Sequence, residues 1–102
     1  KDFNPKDFIR PSKIRVLGRS SQMAIVASQL AFKDSLIKLE NKERLRSGVC
    51  IGTTGGEIGV VEKVHDDFKK RKKIDKRILL TIPSCSISFN VSRELKFNGI
   101  CI

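Results

Sequence analysis

Apolar residues recur at helical spacing in three stretches of the chain and run together in two others. After Ser20 or Ser21, either a good N-cap, Met23, Ala24, Val26, Ala27, Leu30 and Ala31 follow at intervals of three and four, which predicts a helix to about Leu39. Gly48–Thr53 is a short run of β-formers and reads as a strand. A second helix is expected from near Glu57, with Val61, Val64 and Phe68 as its buried face and the acidic Glu57 complementing its positive end. Ile78–Pro83 reads as an extended approach to a third helix over Cys85–Lys96, capped by Ser84 and burying Ile87, Val91 and Leu95. Asn98-Gly99 stops it, and Ile100–Ile102 reads as the opening of a buried strand. Residues 1–19, broken by Asn4-Pro5 and Arg10-Pro11, are expected to be loop pinned by Phe3, Phe8 and Ile9. Asn41–Ser47 reads as a charged connector. The order is helix, strand, helix, helix, start of strand: an α/β piece.

Composition narrows the class. One small domain is the most that 102 residues hold, and a hydrophobic fraction of 39% with no Trp or Tyr is low for a self-sufficient α/β core. The formal net charge is +10, from 21 Lys and Arg against 11 Asp and Glu. That balance favours an acidic partner: nucleic acid, an anionic membrane or an acidic protein. No apolar run approaches the roughly 18 residues that span a bilayer. Cys50, Cys85 and Cys101 form no CxxC pair and are odd in number, which argues against a disulfide framework or a cysteine zinc site and fits a reducing cytoplasm.

The candidate chemistry centres on the bend Gly52-Thr53-Thr54-Gly55-Gly56-Glu57 between strand and helix. As a phosphate cradle it fails twice. Thr54 stands where a dinucleotide fingerprint has its second glycine, and Gly56 is followed by Glu57 rather than by the P-loop's Lys. A structural bend is the better reading. The five cations Lys69–Lys73, continued by Lys76 and Arg77, read as a solvated helix end or a docking surface for an acidic protein, since no aromatic residue is interleaved to stack on bases. His65, the one histidine, reads as a structural helix position. No histidine is placed by sequence to activate a cysteine.

Taken together the segments resemble the N-terminal half of a β-ketoacyl-acyl-carrier-protein synthase, the condensing enzyme of fatty-acid and polyketide synthesis. Lys1-Asp2-Phe3-Asn4, then Lys13 and Arg15, then Gln22 to Ala27 resemble the family's loop and following helix. Gly48 to Glu57 resembles its strand and glycine bend, and Pro83-Ser84 to Arg93-Glu94-Leu95 with Gly99 resembles the helix leading to the nucleophile strand. The resemblance implies that residues 1–102 are an internal fragment of the N-terminal β-ketoacyl synthase domain. It implies part of a thiolase-like fold, a five-layered α-β-α-β-α sandwich that pairs as a homodimer or with a related ketosynthase-like subunit. It implies no catalytic residue in this chain, because the family's Thr-Ala-Cys nucleophile stretch is expected shortly after Ile102 and its histidines and lysine far beyond.

No metal, nucleotide or nucleic acid is implied, and the 4'-phosphopantetheine arm arrives on the acyl carrier protein. Lys13 and Arg15 match the family's basic loop that receives this acidic carrier, and Lys76 and Arg77 fall in its second basic stretch; solvated charge is the alternative reading of each. Gly52 to Glu57 would line the acyl pocket near the dimer interface. Gly55 stands where family members often carry Ile or Met, which implies either a roomier pocket or a neighbouring side chain that fills the space. The competing function is a non-enzymatic basic module that uses Lys69–Arg77 on nucleic acid or an acidic protein.

Overall fold

The computed structural model describes residues 3–102, so Lys1 and Asp2 of the N-terminal resemblance lie outside the described residues. After a 3-10 turn at Pro5–Asp7, the helices run in order: α1 (Pro11–Ile14), α2 (Arg19–Asp34), α3 (Asn41–Arg46), α4 (Ile58–Lys69), α5 (Lys76–Leu79) and α6 (Ser86–Leu95). Both prolines of the N-terminal segment open a helical turn, where the missing N–H has no intrahelical partner to lose. Where a loop is expected over residues 1–19, the described residues 3–18 contain two short helical turns, and Arg19 already opens α2. Ile9 is buried and the Arg19 guanidinium lies 4.6 Å from the Phe3 ring centre, while Phe8 is exposed.

Helices α2 and α6 pack against each other and hold the core. Ile25, Val26 and Val91 are buried there with Ile9, and Ile14, Leu17, Val49, Ile51 and Leu95 pack around them. Burying a side chain such as Ile25 or Val91 contributes roughly 2 kcal/mol. The interface is mixed rather than wholly apolar. Ser21 and Ser88 are also fully buried, and Asn90 Nδ2 donates to Ser21 Oγ at 3.2 Å. Small side chains let the two backbones approach, and each hydroxyl finds a partner: Ser88 Oγ donates to the Cys85 carbonyl and Ser92 Oγ to that of Phe97. Among the described residues no buried side-chain polar atom lacks a hydrogen bond, as the desolvation penalty for an unpaired group requires.

The α6 face is the one expected, with Ile87 and Val91 buried and Leu95 packed on the core. Its cap is Cys85 instead of Ser84, and Lys96 in the left-handed region (φ 56°) ends it before Asn98-Gly99. Other expectations are corrected. The α2 face consists of Ser21, Gln22, Ile25 and Val26, whereas Met23, Ala27, Leu30 and Ala31 are exposed. Helix α2 ends at Asp34, because Leu36 takes a left-handed φ of 55°. Asn41–Ser47 is largely helix: Glu40 and Glu43 form a reciprocal capping box, with a glutamate in the role usually given to Ser or Thr. In Ile78–Pro83 the chain continues the α5 turn, which Asp75 caps through the Arg77 amide. Helix α4 buries Val60, while Val61 and Phe68 are 44% and 72% exposed; the sequence periodicity located a stripe that this chain leaves uncovered.

The expected strand at Gly48–Thr53 does not form as a strand. What exists is the start of a parallel ladder. A single bridge joins Val49 to Cys101, with Val49 N–H on the Ile100 carbonyl (2.9 Å), Ile102 N–H on that of Val49 (3.0 Å) and Ile51 N–H on that of Ile102 (3.0 Å). Two parallel segments bury too little by themselves to extend further; parallel sheets are stable when flanked by more strands and covered on both faces. The close approach fixes two glycines. A Cβ on Gly48 would stand 2.3 Å from the Ile100 carbonyl oxygen, and one on Gly99 would stand 2.6 Å from that of Ser47. Observed as a whole, the described residues are mostly helical and compatible with a piece of an α/β fold. Their radius of gyration, 14.9 Å, exceeds the ~13 Å of a closed domain of this length.

Candidate functional site

The glycine bend is held at one end and open at the other. Thr53 Oγ1 accepts the Gly56 N–H at 2.9 Å and, more distantly, that of Gly55. These amides are turned onto the chain's own hydroxyl, so they make no cradle for an anion. Gly52, Thr53, Thr54 and Gly55 are exposed. Gly56 adopts φ +54°, a conformation that favours glycine, and packs beside the Ser84 backbone.

Glu57 is 2% exposed, and its carboxylate accepts the backbone N–H groups of Ser20 (3.0 Å) and Ser21 (2.7 Å). These are the second and third amides of α2, the ones an N-cap side chain normally takes. The residue at the cap is Gly18, which has no side chain to offer. A carboxylate far along the chain supplies the cap, and its negative charge meets the positive end of the helix dipole. Glu57 therefore complements the N-terminus of α2, not that of the helix it precedes. Gly18 is required for this, since a Cβ there would lie 2.2 Å from the Glu57 carboxyl carbon. Ser20 Oγ adds a bond to the Gly56 carbonyl. The Ile58 side chain lies beside Gly55, and its Cδ1 would meet a Cβ at residue 55 at 2.2 Å.

Two of the four basic residues singled out by sequence are brought together. Lys13 and Arg77 line one cavity of about 290 Å³, floored by Leu17, Ile25, Leu80 and Phe89. Arg93 joins them, its guanidinium 5.7 Å from the Phe89 ring centre. Arg15 and Lys76 are exposed and do not line it. The cations are not equally free. Lys13 Nζ pairs with Glu94, and Arg77 grips Asp75 through Nη2 at 2.7 Å and Nε at 3.1 Å. The Arg77 side chain and then its amide, both donating into the Asp75 carboxylate, hold that carboxyl at about 2. The same pairing raises the Arg77 guanidinium above its ordinary value. Sequence reasoning missed Arg93, Glu94 and Asp75. Asp75 carried a local signal, an N-cap two residues before Arg77, whereas nothing in sequence links Glu94 to Lys13.

The remaining reactive groups are dispersed. Cys50 and Cys85 are exposed free thiols, Cys101 is half-buried, and His65 lies exposed on α4. Among the described residues no three His, Cys, Asp or Glu side chains gather as a metal site would need. Also among them, no helix is long and apolar enough to cross a membrane.

No family model matches the chain. In an alignment 95 positions long that covers 85% of this chain, it is 28% identical to a protein of Schizosaccharomyces pombe named "Putative 3-oxoacyl-(acyl-carrier-protein) synthase, mitochondrial". The likeness supports a ketosynthase-like relationship at the level of the family, and the chain spans 22% of that relative's length.

Proposed function

We propose that this chain is a segment of a β-ketoacyl-acyl-carrier-protein synthase. Such an enzyme elongates a carrier-bound acyl chain by decarboxylative Claisen condensation with a malonyl group on the same kind of carrier. The observation that carries the reading is the likeness over 85% of the chain to a protein named as a putative 3-oxoacyl-acyl-carrier-protein synthase. In this reading the thiolate nucleophile and the histidines that stabilise the enolate belong to other parts of the enzyme, and this segment contributes binding surface. Turnover of acyl and malonyl thioesters by these 102 residues would contradict that division of labour.

The carrier protein is the proposed partner, acidic and bearing its own 4'-phosphopantetheine arm. Its docking surface would be the rim formed by Lys13, Arg77 and Arg93, with Arg15 and Lys76 beside it. Cations on such a rim act mainly on association rate and salt dependence. The bend would form part of the wall of the acyl pocket near a second subunit, with the Ile58 side chain in the space that Gly55 leaves.

Calorimetric titration of the chain with holo carrier protein tests the docking reading. Arg15 has no ion pair among the described residues, so Arg15→Glu reports on docking without disturbing an internal contact. It is expected to weaken binding at low salt by roughly 1 kcal/mol and by much less once the charges are screened. Binding unchanged in Arg15→Glu and also in Lys13→Glu would remove this rim from the interface.

A further inference from the structure

Two of the three cations on the cavity rim are already answered by carboxylates of the chain. Lys13 Nζ is engaged by Glu94, which lines the same cavity, and the two side chains are 46% and 20% exposed. Arg77 is held more completely. Its Nη2 donates to Asp75 Oδ2 at 2.7 Å, its Nε lies 3.1 Å and 3.2 Å from the two carboxylate oxygens, and its own amide donates to Oδ1 at 3.0 Å. Arg93 differs from both. Among the described residues no carboxylate lies within ion-pair reach of it.

The surroundings of Arg93 orient it without neutralising its charge. Phe89 precedes it by four residues on α6, so the two share a face of the helix. The guanidinium carbon lies 5.7 Å from the Phe89 ring centre, within the range where a ring face attracts a cation. A guanidinium placed in this way keeps its N–H donors for a planar carboxylate partner.

We propose that Arg93 is the anchoring cation of the carrier-binding rim, and that Glu94 and Asp75 are internal competitors that an acidic partner must displace before Lys13 and Arg77 contribute. The inference rests on the carrier-docking reading and deepens it, since the resemblance points to Lys13 and Arg77 and gives Arg93 no part in docking. A partner carboxylate that arrives at Lys13 or Arg77 exchanges one exposed ion pair for another and gains little. One that arrives at Arg93 gains a whole pair. The exchange also sets a threshold. A sparsely acidic surface leaves the two internal pairs closed, so Glu94 and Asp75 make the rim selective for dense negative charge.

Calorimetric titration of the 102-residue chain with holo carrier protein at low salt tests this, with circular dichroism to establish that each variant is folded. Arg93→Gln is expected to weaken binding about fivefold, and Lys13→Gln or Arg77→Gln each by less than about twofold. Neutralising the competitors acts in the opposite direction. Glu94→Gln combined with Asp75→Asn, which keeps a side-chain oxygen for the α5 cap, is expected to tighten binding about fivefold. In that background Lys13→Gln should cost as much as Arg93→Gln. Glu62→Gln makes a charge change of the same sign at an exposed position that lines neither cavity, and it should move the affinity by less than about twofold. Equal losses at the three cations, or no tightening beyond that of Glu62→Gln, would overturn the proposal and leave carrier binding in place. An absence of saturable binding by the unaltered chain would overturn the carrier reading, and this proposal with it.

Discussion

Glu57 shows how much one side chain can organise in a chain with so small a core. Its carboxylate is buried against the first turn of α2 and takes two amides for which no other acceptor is found among the described residues. Glu57→Ala is expected to destabilise the chain by about 2 kcal/mol, the range for losing a cap and stranding buried donors, read by urea denaturation. Gly18→Ala should match it, because the new Cβ would displace the pinned carboxylate. Gly55→Ala offers the contrast: the atoms in its way are Cδ1 and Cγ1 of a half-exposed Ile58 side chain that can change rotamer, so a loss of about 1 kcal/mol is expected. Asp75 is a second residue-scale test. Its folded value of about 2 lies below the ordinary 3.8, so the pairing contributes above pH 3.8 and is lost as pH falls through 2. An NMR titration of its carboxyl carbon should find that midpoint, and Arg77→Gln should return it toward 3.8. None of these partnerships except Asp75–Arg77 was legible in the sequence. Local spacing suggested that Glu57 serves its own helix, and only the tertiary fold brings Ser20 and Ser21 to it.

Among the elements, the two long helices of the core were the most legible. Helix α6 keeps a strict four-residue repeat of Ile87, Val91 and Leu95, and the buried face follows it. Helix α2 was found but turned, because its buried face includes Ser21 and Gln22, polar residues that hydropathy assigns to water. Deleting buried volume where the two meet is expected to be severe: Val91→Ala or Ile25→Ala should each cost about 2–4 kcal/mol in the same denaturation assay. Short elements were missed for a physical reason. Helices α3 and α5 are fixed by caps and contacts, Glu40 with Glu43 and Asp75 with Arg77, and not by periodicity. The strands were overread. The β-formers at Val49–Ile51 and Ile100–Ile102 do pair in parallel, but through three backbone hydrogen bonds and a single bridge. Gly48→Ala tests that pairing. Its Cβ would strike the backbone oxygen of Ile100, and a loss of ~2 kcal/mol is expected, accompanied by faster hydrogen exchange at Val49 and Ile102.

At the scale of the molecule, the fold gathers charge in two places with different surroundings. Lys13, Arg77 and Arg93 ring a cavity with an apolar floor, the surface we propose for an acidic carrier protein. Lys69–Lys73 stand together and exposed where α4 ends. Sequence reasoning treated the second basic stretch as continuous from Lys69 to Arg77. The turn at Arg71 and the cap at Asp75 divide it, and only Arg77 reaches the cavity. The glycine bend, once a candidate for phosphate, is latched to α2 by Glu57, with its amides turned onto Thr53. The central claim is that this chain is the carrier-binding portion of a condensing enzyme. A heteronuclear NMR titration of the labelled chain with holo acyl carrier protein tests it most directly. The account predicts saturable, salt-sensitive shifts at Lys13, Arg15, Arg77 and Arg93, with Phe68–Lys73 unmoved. Shifts confined to Lys69–Lys73, reproduced by any polyanion, or no saturable shift at all, would contradict it.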